Sequence, residues 1–158
     1  MGAEVAVFAD SKEAQAWLRK LEAKVKRTKD GAKEFAGLVS AVVFRDIQDH
    51  FQDERGSGGA WKAWSDAYQD HMERIGKGGN KILQDSGRLR QSFTPSSYRA
   101  VSEGLLWYNP AKTGQGYPYA WAHDEGAGRY PKRDFMWLSD EAQEKIADLT
   151  LSYILDER

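Results

Sequence analysis

Apolar positions along this chain recur at two periods, and the switches between them mark out its elements. From Ala32 to Gln52 the residues Phe35, Leu38, Val39, Val42, Val43, Ile47 and Phe51 step by three and four. That spacing predicts one long helix with a single buried face. An earlier helix is expected from Lys12, where Trp17, Leu18, Leu21, Val25 and Thr28 keep the same step until a break at Lys29-Asp30-Gly31. Around that stripe Arg19, Lys20, Lys24, Lys26, Arg27 and Lys29 form a basic face. Trp61, Trp64, Tyr68, Met72 and Ile75 predict a third helix between two glycine-rich stretches, GSGG at 56–59 and GKGGN at 76–80. Leu138, Ala142, Ile146, Leu149, Tyr153 and Ile154 predict a last one. It opens at Ser139-Asp140-Glu141, with acids in the first turn where the helix dipole favours them.

The shorter period appears in two places. Glu4 to Phe8 is a β-branched apolar run that reads as an edge strand, with Asp10-Ser11 offering a helix cap after it. Ser97 to Ser102, a Glu103-Gly104 turn and Leu105 to Asn109 read as a β-hairpin. A polar loop follows from Asn109 to Pro118, then a short helix in YAWAHDEGAG that ends at Gly126 or Gly128. YPKRDFMWLS reads as an extended, aromatic strand or strap. The sum is an α+β fold, with long N-terminal helices and a C-terminal helix packed on a small, mainly antiparallel sheet. One domain is expected over residues 1–158, without internal repeats.

Composition narrows this picture. The 158 residues include 6 Trp, 7 Tyr and 6 Phe, enough apolar area for a real core. The 23 basic and 24 acidic side chains leave a formal charge of -1, which argues against a surface that grips nucleic acid everywhere. There is no cysteine, so disulfides, thiolate metal sites and a Cys nucleophile are excluded. The first residues carry no basic region before a long apolar run, and no segment reaches the roughly 20 apolar residues of a membrane span. The expectation is a soluble protein of a reducing compartment, without a signal peptide.

Candidate chemistry centres on ILQDSGRLRQSF, Ile82 to Phe93. A hydrolase elbow needs glycine on both sides of its serine, and Ser86 has only Gly87. Asp85 or Ser86 is therefore read as the cap of a short helix ending near Ser92, with Leu89 and Phe93 pointing inward. His50, Asp46 and Glu54 share a helical row, a conceivable metal face that more often is simply solvated. His71 has no evident second ligand. His123-Asp124-Glu125 lies between aromatics and a glycine turn, but consecutive helical residues point apart, so His123 is read as structural and hydrogen-bonded at a helix end. The glycine stretches lack the phosphate-loop spacing. Arg88 and Arg90, the basic first helix, and Tyr98, Arg99, Trp107 and Tyr108 make a conceivable strand-binding surface, although the hairpin rings are read as core or interface.

Three motifs in order carry a resemblance. Leu83, Asp85, Ser86, Gly87, Leu89 and Ser92 form the first; Tyr119, Ala120, His123 and Gly126 the second; Pro131, Arg133, Phe135 and Leu138 the third. In this the chain resembles the phage virion morphogenesis (tail completion) family over roughly residues 12 to 155. It departs from the family's pattern at Glu125, where a bulky apolar residue is common, and at Asp134, where a second proline is usual. The resemblance implies a structural protein that completes the tail or joins it to the head, acting as a ring-forming tail terminator or neck subunit, with six copies the expected ring. Its partners would be itself, neck or connector proteins, and tail tube or sheath proteins. DNA would pass through the lumen without sequence-specific binding, and no membrane is involved. The expected location is the head-tail junction of the virion, after assembly in the host cytoplasm.

No catalytic residue, cofactor or metal is assigned. The interface set is Asp85, Ser86, Gly87, Arg88, Leu89, Arg90, Tyr119, His123, Gly126, Pro131, Arg133 and Phe135, with Arg88 and Arg90 free for neighbouring subunits or tail protein. The basic first helix and the acidic stretches Asp46 to Glu54 and Asp140 to Asp148 are expected to offer complementary sides of a ring subunit. The loop from Asn109 to Pro118 and the Gly56 to Gly59 connector are expected to touch the neck or tail tube. Two alternatives stand beside this reading: a small DNA-binding or packaging accessory protein, and a hydrolase using His123.

Overall fold

The long helix and the hairpin meet through one hydrogen bond at the centre of the fold. The computed structural model describes residues 3–6, 15, 16, 19, 20, 22, 23, 31–101 and 104–155. Its central helix runs Gly31–Asp53 and buries Ala36, Val39, Ser40, Val43, Ile47, His50 and Phe51. This face is turned slightly from the predicted stripe: Leu38 is 42% exposed, while Ser40 lies inside. The reason is polar. The Ser40 hydroxyl accepts the indole N–H of Trp107 at 3.1 Å, so the buried ring is satisfied only with Ser40 facing it.

Trp107 belongs to a three-stranded sheet built from β1 (Ala3–Ala6), β4 (Tyr98–Val101) and β5 (Gly104–Asn109). The order is β1-β5-β4, both pairs antiparallel, so β1 is an edge strand as predicted. Residues 7 and 8 of that predicted strand lie outside the described residues, as do 102 and 103 in the hairpin turn. The predicted first helix is described only in part. Residues 15, 16, 19, 20, 22 and 23 are helical and exposed, and Trp17, Leu18, Leu21 and Val25 lie outside the described residues.

Two predictions need correction. The GSGG connector folds into a tight ladder, β2 (Arg55–Gly56) against β3 (Gly59–Ala60). The third helix starts later than predicted, spanning Asp66–Arg74. Ser65 caps it by accepting the N–H of Tyr68, which fixes the start beyond both tryptophans. Trp61 instead enters the core and donates its indole N–H to the carbonyl of Asp134 at 2.9 Å. Helical spacing was satisfied at those positions, but tertiary anchoring overrode it.

The rest follows the α+β expectation. A short helix covers Arg88–Gln91, another Tyr119–Glu125, and the C-terminal helix covers Asp140–Leu155. The last packs along the central helix, with the Phe35 and Tyr153 rings 5.2 Å apart. Phe51 anchors the core between Trp61 at 5.6 Å and Phe135 at 5.0 Å. Among the described residues, no helix is long and apolar enough to cross a membrane.

Candidate functional site

The first motif is a turn that launches a helix one turn long. Gly87 sits at its N-terminus with φ 71°, a left-handed conformation that favours glycine. Asp85 and Ser86 are therefore not the cap. Asp85 pairs with Lys77 at 2.6 Å, and Ser86 Oγ accepts the N–H of Arg88 only at 3.4 Å. Leu89 and Phe93 do point inward. Arg88 is exposed, but Arg90 is not free: its Nε donates to Gln48 at 2.7 Å and its guanidinium also reaches Gln84 at 3.3 Å. Gln48 in turn donates to the Arg90 carbonyl, so this arginine braces the central helix.

The second motif opens on Pro118 and ends at Gly126, whose φ of 72° resolves the predicted choice between two glycines. A Cβ there would lie 2.9 Å from the Lys132 backbone, so the glycine also admits the next segment. Ala120 and Ala122 are buried against the core. His123 faces the other way. Its ring meets Tyr130 at 4.7 Å, and its Nδ1 is buried without a hydrogen-bond partner, unlike the bonded histidine predicted. Burial, with Arg133 beside it, holds its imidazole below the ordinary value, so the ring is neutral at neutral pH.

Asp124 is the residue that sequence reasoning missed. Its carboxylate is buried and accepts the N–H groups of Phe135 at 2.7 Å and Met136 at 2.9 Å. Burial outweighs these two bonds and raises its pKa to about 6. The segment it holds, Pro131 to Leu138, has no strand or helix, so the strap alternative is the correct one. Side chains from elsewhere in the fold tie the strap at several positions. His50 donates Nδ1–H to the Phe135 carbonyl at 2.9 Å and stacks on Trp137 at 4.0 Å. Arg133 donates to the carbonyls of Lys62 at 2.9 Å and Ala63 at 3.3 Å. Asp134 accepts the N–H of Ser57 at 3.0 Å and its hydroxyl at 2.5 Å. At the far end Asp46 accepts the N–H of Ser139 at 2.9 Å.

These contacts also answer the predicted metal face. Asp46 and His50 clamp the strap, 3.7 Å apart, while Glu54 accepts the N–H of Ile82. Among the described residues no three histidine or carboxylate side chains are grouped to hold a metal.

The three motifs converge on an open depression of about 950 Å³. Asp85, Ser86, Arg88 and Leu89 line it from the first, Tyr119 and His123 from the second, and Pro131 and Arg133 from the third. Gly87, Arg90, Gly126 and Phe135 do not line it; they hold the walls in place. Lys62, Trp64, Tyr68, Arg129 and Tyr130 are also in the lining and were not among the expected interface residues. Lys62, Arg88 and Arg129 are exposed cations, and the one carboxylate, Asp85, is neutralised by Lys77. Ser86 and His123 share the depression but make no hydrogen bond to each other, and nothing in the wall forms a nucleophile-base pair. The surface presents aromatic rings between cations on a braced backbone.

Residues 9–155 match the model of the phage virion morphogenesis family. No curated protein and no solved structure matches the chain.

Proposed function

Because the chain belongs to the phage virion morphogenesis family, we propose that it completes the phage tail or joins it to the head, as a self-assembling subunit at the head-tail junction. In this reading it works as part of a ring, against neck proteins on one side and tail tube or sheath proteins on the other. The observation that carries the reading is the convergence of the three motifs. The first lies more than twenty residues before the other two in sequence, yet all three line one cation-and-ring surface. In this reading the wall is a surface that binds protein. Arginine and aromatic side chains are the groups enriched where protein surfaces meet.

Electron microscopy of particles made without this gene tests the proposal. Filled heads beside unattached tails, or tails of uncontrolled length, are expected. Normal joined virions would contradict it.

A further inference from the structure

The C-terminal helix carries a face that nothing among the described residues covers. Glu144, Asp148, Leu151 and Leu155 follow one another at steps of four, three and four, and so share one side of the helix. All four are exposed, Leu151 by 39% and Leu155 by 61%. Glu144 and Asp148 make no ion pair among the described residues, in contrast to Glu141, which binds Lys145 at 2.5 Å. This face is acidic at one end and apolar at the other.

The depression has the opposite character. It offers Lys62, Arg88 and Arg129 as cations, and Trp64, Tyr68 and Tyr130 as rings, with Tyr68 45% exposed. Among the described residues, Arg88 bonds only through its backbone and no hydrogen bond or ion pair involves the Arg129 side chain. The depression and the helix face share no residue. A contact between them is therefore head-to-tail, the kind that closes into a ring or extends into a filament. A nucleic acid strand suits the depression less well, because a regular line of phosphates would find only a few cations to meet it.

We infer that the acidic-apolar face of the C-terminal helix of one copy seats on the three-motif depression of the next. Glu144 and Asp148 meet the arginines, and Leu151 and Leu155 meet the rings. The inference rests on the reading of the chain as a self-assembling subunit, and adds to it the two surfaces that join.

Charge reversal tests it. The full chain and the variants R88E/R129E and E144K/D148K are followed by sedimentation velocity across concentration and salt, with circular dichroism to verify folding. Wild type should associate and do so less tightly as salt rises. Each reversed variant should associate more than about tenfold more weakly. An equimolar mixture of the two should regain association, since every contact in an alternating assembly then pairs opposite charges. If a reversed variant fails to fold, R88Q/R129Q and E144Q/D148Q replace it, and each should show the same loss. Association unchanged in the folded variants, or not regained on mixing, overturns the contact and leaves self-assembly standing. A wild type that stays monomeric throughout overturns the self-assembly reading itself. Saturable binding of a dT oligonucleotide that R88E/R129E abolishes would assign the depression to nucleic acid and overturn the inference.

Discussion

The strap from Pro131 to Leu138 and the loop from Pro110 to Pro118 are both irregular, both begin with proline, and are separated by one short helix. They behave as different materials. The strap is held by groups distant in sequence: Asp124, His50, Trp61, Ser57 and Lys62 all bond to it, and Phe135 and Met136 are buried. The loop beyond Ala111 bonds mainly to itself, Thr113 to Tyr117 and Gly116 to Thr113, and its residues 112–117 are exposed. Regular secondary structure is thus not what makes a segment rigid. A buried backbone needs partners, and side chains supply them to the strap where a sheet ladder would otherwise do so.

Removing the strap's main clamp should have the largest effect. Asp124→Ala leaves the N–H groups of Phe135 and Met136 buried without an acceptor, and should cost about 2–4 kcal/mol in urea unfolding. Asp124→Asn keeps an oxygen acceptor and removes the charge, so it changes the pH dependence. The folded pKa of about 6 lies above the ordinary 3.8, so the folded state binds the proton more tightly. Its contribution is complete below about pH 4 and is lost as pH rises through about 6. Stability of wild type relative to Asp124→Asn should fall across that window. His50 and His123, both held below their ordinary value mainly by burial, act in the opposite direction as pH falls through 6.5. The difference between the two proteins isolates Asp124. A flat difference curve would mean that the charge is stabilised better than its burial suggests.

Gly126→Ala should come next, at about 1–3 kcal/mol in the same measurement. It forces a left-handed φ of 72° on alanine and sets a Cβ 2.9 Å from Lys132. Deleting Lys112 to Gln115 should shift stability by less than about 1 kcal/mol, because the excised backbone is exposed and its bonds are local. A larger loss would erase the contrast between loop and strap. Smallest of all, Arg88→Glu should move thermal stability by no more than about 0.5 kcal/mol, since its side chain braces nothing.

Much of this was legible in the sequence, for a definite reason. The central helix, the hairpin, a glycine stop narrowed to Gly126 or Gly128, and the inward Leu89 and Phe93 all follow from local spacing or from one residue's backbone preference. Three features were not. Trp61 keeps helical spacing but is drawn off the helix by the Asp134 carbonyl, 73 residues away. Arg90 reads like Arg88 until Gln48, 42 residues away, is seen to hold it. Asp124 reads as one acid of a cluster, because its partners are backbone N–H groups, which leave no mark on sequence. Of the residues expected at an interface, Asp85, Ser86, Arg88, Leu89, Tyr119, His123, Pro131 and Arg133 line the three-motif depression. Lys62, Trp64, Tyr68, Arg129 and Tyr130 were passed over because they belong to the wall only once the strap has folded across it.

The most direct test of the account uses phage carrying R88E/R129E in place of the native residues, imaged by electron microscopy beside phage lacking the gene. The account predicts the same defect in both, with the variant protein folded and present at normal amounts. Normal joined virions from the R88E/R129E phage would contradict it, for the three motifs would then build a wall that assembly does not use.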